Sequence, residues 1–175
     1  CGAAYGIPTV ALRFFNVYGP GQALSNPYTG VAAIFASRLM NGMPPLIFED
    51  GRQSRDFIHV SDIADGIVRA LESEDAPGLA INLGTGVPTD VNAVATELAA
   101  GLGVDVEPER SELYRSGDVR HCYADTTLAR EVLGFEARVP FAEGMADLLG
   151  WLREQEAVDR VATATKELAA RGLAR

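Results

Sequence analysis

Residues 9–20 read Thr-Val-Ala-Leu-Arg-Phe-Phe-Asn-Val-Tyr-Gly-Pro. Over 9–15 nearly every position is apolar, β-branched or aromatic, which predicts a buried strand. Asn16 stands at its end, Gly19-Pro20-Gly21 breaks the run, and a polar loop passes through Ser25-Asn26-Pro27. Val31, Ile34, Phe35 and Leu39 then recur at helical spacing until Asn41-Gly42 and Pro44-Pro45 stop the helix. Short extended pieces follow over 46–48 and 55–59. Ser61 is the expected N-cap of a helix with Ile63, Ile67 and Leu71 inward. A strand over 79–83 comes next. Thr89 is the expected cap of a helix burying Val91, Val94, Leu98 and Leu102, with Gly101 or Gly103 at its end. Residues 104–107 alternate like a strand, and Asp125 caps a short helix ending near Gly134. Helices over 141–154 and 158–171 close the chain. Strands interleaved with helices argue for an α/β class.

The chain has 175 residues, 47% of them apolar, enough for one hydrophobic core. A net charge of −9 argues against a nucleic-acid-binding face, which would be broadly basic. No run of eighteen apolar residues and no leader pattern occurs, so neither a membrane span nor a membrane partner is expected. Cys1 and Cys122 have neither the number nor the spacing of a disulfide framework or a zinc site, which points to a reducing cytoplasm. The chain opens on Cys1 and not on Met, from which a longer parent is expected. With so acidic a chain, any bound anion must be met by a few local cations, so individual arginines carry weight.

Arg55 lies in Gly51-Arg-Gln-Ser-Arg-Asp-Phe-Ile-His-Val60, between a turn and an extended piece. Its planar fork of donors suits phosphate oxygens, and the bland alternative is a surface pair with Asp56. Arg52 is expected to be solvated. Arg115-Ser-Gly-Asp118 could present a cation and an acceptor from one tight turn, although a plain surface turn has the same composition. Asn16 could donate to a phosphate and accept from a hydroxyl, or simply close a turn. Phe48 could stack on a base or belong to the core. Gly84-Thr-Gly86 lacks the third glycine of a dinucleotide loop, and His59 and His121 form no metal set. His59 is expected to join strand to helix, and His121 to line a pocket or cap packing. Tyr5 is followed four residues on by Thr9 and not by Lys, so no catalytic residue is expected in this chain.

The order of Arg13-Phe-Phe-Asn16, Gln53-Ser-Arg-Asp-Phe-Ile-His-Val60 and Arg115-Ser-Gly-Asp118 resembles the later part of the NAD-dependent nucleotide-sugar epimerases and dehydratases of the extended short-chain dehydrogenase family. Residues 19–30, Phe48-Glu-Asp-Gly-Arg-Gln53 and Gly117-Asp-Val-Arg-His-Cys122 are most similar to the dTDP-sugar 4-epimerases among them. The resemblance covers nearly all of 1–175. It implies the C-terminal part of a Rossmann-type protein, with the strands near 9–15 and 79–83 parallel and the substrate-binding lobe interleaved between them. It implies that NAD is held mainly by an N-terminal half that also carries a Tyr-x-x-x-Lys pair. Phe15 would pack near the nicotinamide. Asn16, Leu46, Ile47, Phe48, Arg55, Arg115 and Asp118 would hold a dTDP- or UDP-sugar, with both arginines on the diphosphate, Asp118 on a hydroxyl and residues 46–48 over the base. The activity implied is 4-epimerisation through a 4-keto sugar, with 4,6-dehydration or decarboxylation sharing the same motifs and a non-catalytic nucleotide-binding remnant as the other alternative. A homodimeric parent is implied as well.

Overall fold

The structure is a computed structural model that describes residues 2–24, 30–111, 113–114 and 117–155. The helix expected over 158–171 and Arg115 lie outside these residues. A short helix, α1 (Gly2–Tyr5), precedes two strands, the first where one was expected over 9–15 and the second just after it. These are β1 (Ala11–Phe14) and β2 (Asn16–Tyr18). Helix α2 (Val31–Met40), β3 (Leu46–Phe48), β4 (Ser54–His59) and α3 (Val60–Glu72) follow. Next come β5 (Ala80–Leu83), β6 (Pro88–Asp90), α4 (Val91–Leu102), β7 (Glu109–Ser111), β8 (His121–Cys122), α5 (Thr127–Leu133) and α6 (Phe141–Leu152).

The split of the first run reflects a change of partner. β1 pairs in parallel with β5, Ala11 opposite Ala80, and the ladder continues to Phe15, whose N–H donates to the Leu83 carbonyl at 3.3 Å. One residue later β2 pairs in parallel with β4, Asn16 opposite Phe57. The expectation of a buried strand is corrected here. Ala11, Arg13 and Phe14 are exposed, because β5 is the one strand beside β1 among the described residues. β4 also pairs antiparallel with β6, Arg55 opposite Thr89, and in parallel with β8, Ser54 opposite His121. β3 pairs in parallel with β7, Leu46 opposite Glu109.

Several helix starts differ from expectation. The cap of α3 is His59, not Ser61: the Ser61 N–H donates to His59 Nδ1 at 3.4 Å. Its inner face is Ile63, Gly66, Ile67 and Ala70, as expected for Ile63 and Ile67, whereas Leu71 is turned outward to 79% exposure. Gly66 is required there, since a Cβ would come within 2.7 Å of the Leu83 side chain. For α4 the cap is Asp90, not Thr89. Thr89 is drawn into β6, and the Asp90 carboxylate accepts from the Ala93 N–H at 2.7 Å. Residues 104–107 are unpaired, and the strand forms at 109–111, where β3 supplies an edge; Val104 packs on the core instead. Asp125 accepts from the Thr127 N–H at 3.0 Å, as its expected role requires, although Thr126 holds the cap position of α5.

Alternating residues of β4 feed two cores. Phe57 joins Tyr18, Phe35, Leu39, Ile47, Leu98 and Leu148 in a core built by α2, α4 and α6. Ile58 joins Ile63, Ile81, Leu83, Leu133 and Phe135 in a second core built by β5, α3 and α5. Tyr18 anchors the first. Its ring meets Phe57, His59 and Phe141 edge-on or tilted, and its hydroxyl donates to the Phe141 carbonyl at 3.3 Å. Gly144 of α6 lies so close to that hydroxyl that any side chain would collide with it. Among the described residues no helix is long and apolar enough to cross a membrane.

Burial, and secondarily the charge of Asp62, pushes the Tyr18 phenol up from 10.0 to about 12. The folded protein therefore keeps a proton that the unfolded chain releases near pH 10. That contribution to stability is whole below pH 10 and is lost as pH rises toward 12. In a spectrophotometric titration, Tyr18 is expected to ionise only as pH approaches about 12, as a final step. Tyr18→Phe should delete that final step, and an unchanged profile would contradict the burial argument.

Candidate functional site

Pairing places the site residues on faces. Residues opposite each other across paired strands point the same way, and successive residues point opposite ways. Asn16, opposite Phe57, therefore shares a face with Arg55 and Phe57, as does Cys122, opposite Arg55. His121 is turned to the other face, where its Nδ1 lies 2.9 Å from the Ser54 hydroxyl. Asn16 sits in a strand, half-buried, and among the described residues its carboxamide makes no hydrogen bond. The turn-closing reading is thereby excluded for it.

Arg55 does not pair with Asp56. Its Nη1 donates to the carbonyls of Ser54 at 2.9 Å and Arg120 at 3.1 Å, and its Nη2 donates to Asp118 Oδ1 at 2.7 Å. The two motif segments, 63 residues apart, thus meet at one guanidinium. Three of the five N–H donors of an arginine are engaged, which leaves two open among the described residues. The Asp118 side chain is 48% exposed, so the ion pair itself contributes only about 0–1 kcal/mol.

Asp56 has a different role, which local reading misses. It is fully buried and accepts four hydrogen bonds. Oδ1 takes the Thr85 N–H at 2.8 Å and the Thr85 hydroxyl at 2.6 Å. Oδ2 takes the N–H groups of Gly86 at 2.8 Å and Ala124 at 3.1 Å. The N–H groups of Thr85 and Gly86 are therefore spent on a carboxylate, so this turn is no cradle for a dinucleotide phosphate. Phe15, half-buried where the chain leaves β5 for β4, is the residue expected near NAD.

Residues 46–48 form β3. Ile47 is fully buried in the α2–α4–α6 core, so only its backbone can face a ligand, whereas Leu46 and Phe48 are half-buried. The Phe48 carbonyl accepts from Gln53 Nε2 at 2.9 Å. The turn after β3 is clasped by Arg120, which donates to Glu49 at 3.1 Å and Asp50 at 2.6 Å. The Arg120 hydrogen bond, and then that from the Arg52 N–H, holds the Asp50 carboxyl below the usual carboxylate range. Arg120 stands inside the 117–122 motif, which assigned it no role of its own. A separate cleft of about 270 Å³ lies between the 84–89 turn, α5 and residues 135–141, and none of Asn16, Phe48, Arg55 or Asp118 lines it.

Comparison with known proteins gives a consistent result. Residues 1–84 match the model of the NAD dependent epimerase/dehydratase family. Over 148 residues the chain is 34% identical to a dTDP-L-rhamnose 4-epimerase of Burkholderia thailandensis, covering 85% of this chain and 40% of that protein. It is 40% identical over 142 residues to a UDP-glucose 4-epimerase of Mycolicibacterium smegmatis, covering 80% of this chain and 44% of that protein. The crystal structure of a UDP-glucose 4-epimerase with UDP-glucose from Thermotoga maritima superposes with a TM-score of 0.78 at 37% identity, covering 87% of this chain and 48% of that one. The chain thus spans less than half the length of each of these relatives.

If the Asp56 carboxylate organises the site, removing it leaves four donors unsatisfied, three of them backbone. Asp56→Ala is expected to cost about 3–5 kcal/mol in urea denaturation. Asp56→Asn should not rescue it, because its NH₂ would face N–H donors. A loss under about 1 kcal/mol for either variant would refute this role.

Proposed function

The chain belongs to the NAD-dependent epimerase/dehydratase family, and on that premise we propose that it grips the diphosphate of a UDP- or dTDP-sugar for inversion at sugar C4. The observation that carries the proposal is the meeting of Arg55 and Asp118 on the face that also bears Asn16. Inverting one carbon requires that both faces of the sugar be offered in turn to the same reacting partner. The nucleotide must then be held firmly while the sugar swings. Arg55, fixed by two carbonyls, supplies a rigid cation for the diphosphate, and Arg115 in the adjoining motif joins it there. Asp118 accepts from a hydroxyl, Asn16 orients the sugar nucleotide beside Phe15, and residues 46–48 cover the base, Ile47 through its backbone. Binding energy spent on the unreactive nucleotide positions the reacting carbon.

NAD supplies the redox chemistry of the family, and the described residues are assigned no step through it. The proton-transferring pair is proposed to lie outside the 175 residues. Lys166 is the only lysine, and Ala162 stands four positions before it. The exposed free thiol of Cys122 supports a reducing, cytoplasmic setting.

Charge-assisted phosphate contacts are worth about 1.5–3 kcal/mol, so Arg55→Ala should weaken binding of UDP and dTDP by about ten- to a hundredfold in calorimetric titration. Asp118→Ala should cost less, since its proposed partner is a neutral hydroxyl. Asn16→Ala should lower turnover in the active enzyme without changing its melting temperature. The 175-residue chain alone should turn over no nucleotide sugar. Wild-type nucleotide affinity in Arg55→Ala would overturn the assignment, and epimerisation by the isolated chain would overturn the placement of the pair.

A further inference from the structure

The cleft bounded by the 84–89 turn, α5 and residues 135–141 has the properties of a second binding site. Two buried carboxylates set its walls. Asp56 fixes Thr85 and Gly86, and Asp62 of α3 accepts the N–H groups of Arg138 and Val139, each at 3.1 Å. The polar side chains on those walls are left open. Arg138 is exposed, and its guanidinium has no partner among the described residues. Arg130 lies 3.9 Å from Glu136, with both side chains more than half exposed, a loose pair that a ligand could share. The hydroxyls of Thr89 and Thr126 likewise have no partner among the described residues, and half-buried Phe141 adds an apolar surface.

Size and charge narrow the ligand. About 270 Å³ lies below the ~300–1,000 Å³ of drug-sized pockets, too little for a nucleotide sugar but adequate for one monosaccharide-sized molecule. Arg130 is shared between the carboxylates of Glu136 and Asp125, which leaves the single charge of Arg138 without a partner among the described residues. A single carboxylate balances that charge and matches the fork of Arg138, whereas a dianion would leave an excess beside Glu136. The open hydroxyls call for hydroxyls on the ligand. We propose that this cleft binds a hydroxylated monocarboxylate of monosaccharide size, at a site separate from the one that holds the nucleotide.

Calorimetric or NMR titration with sodium D-glucuronate tests this, with sodium acetate and glucose as probes lacking the hydroxylated body or the charge. D-Glucuronate should saturate with a dissociation constant of about 1 mM, the scale that ordinary ligand efficiency gives a molecule of this size. Arg138→Ala and, as a second variant, Arg130→Gln should each weaken it by about tenfold. Both side chains are exposed and the Arg138 N–H that serves Asp62 is retained, so folding should be unaffected. Acetate and glucose should bind at least about tenfold more weakly. Arg55→Ala and saturating UDP should change nothing, so this result is independent of the nucleotide reading and survives its failure. The assignment is overturned if D-glucuronate does not saturate, if both cleft variants bind as wild type, or if acetate binds as well as D-glucuronate. Displacement by UDP or loss in Arg55→Ala would place the ligand in the nucleotide site and overturn it equally.

Discussion

The Asp56 carboxylate is the constraint from which the site follows. A buried carboxylate is costly unless its lone pairs are met. Here each oxygen accepts twice, and among the described residues no cation takes part. The four donors come from two segments that are far from Asp56 in sequence. One is the turn after β5, and the other is Ala124, two residues beyond Cys122. Holding Ala124 sets how β8 lies along β4, and β8 in turn delivers residues 118–120 to Arg55. Gly84 completes the arrangement: a Cβ there would come within 2.6 Å of the Asp56 carboxylate, so the turn can close only on a glycine.

The same strand separates structure from chemistry by alternation. Asp56 and Ile58 point to the β5–α3–α5 side, and Arg55 and Phe57 to the α2–α4–α6 side. Asn16 arrives beside Phe57 because the chain changes sheets at residues 15–16. Phe15 is the last residue bonded to β5, and Asn16 is the first paired with β4. In α/β proteins, ligands gather where strand ends diverge, because the divergence opens a crevice lined by backbone and by the first side chains after the strand. Asn16 occupies such a point, which explains why a polar residue ends so apolar a run.

Much of this was legible in the sequence where the determining forces are local. The bounds of β3, the glycine stops at Gly103 and Gly134, and the α/β class follow from composition and periodicity, and the parallel pairing of β1 with β5 from the family resemblance. What was not legible depends on partners remote in sequence. The change of sheet between Phe15 and Asn16 is decided by strands 40 to 70 residues away. The caps moved from Ser61 to His59 and from Thr89 to Asp90 because β4 and β6 extend to the helix starts. Asp56 was weighed only as the neighbour of Arg55, since adjacency is what a sequence displays, whereas its donors lie 29 to 68 residues on. Arg115 stays an expectation of the motif alone.

The way Arg55 is held bears on how a cation can serve an anionic ligand in an acidic chain. If Asp118 were its only partner, loss of that pair on binding would free the side chain, and the ligand would have to order it again at an entropic cost. The carbonyls of Ser54 and Arg120 remove that dependence, because both stay in place whatever Asp118 does. An exposed ion pair worth about 0–1 kcal/mol can be exchanged for phosphate contacts worth about 1.5–3 kcal/mol each. In the proposed function Asp118 neutralises the cation when no anion is present and yields it when one arrives. Its released carboxylate, an acceptor without donors of its own, is suited to a hydroxyl and repels a phosphate. In the proposed function the pair sorts the two ends of a nucleotide sugar by chemistry, with phosphate on Arg55 and hydroxyl on Asp118.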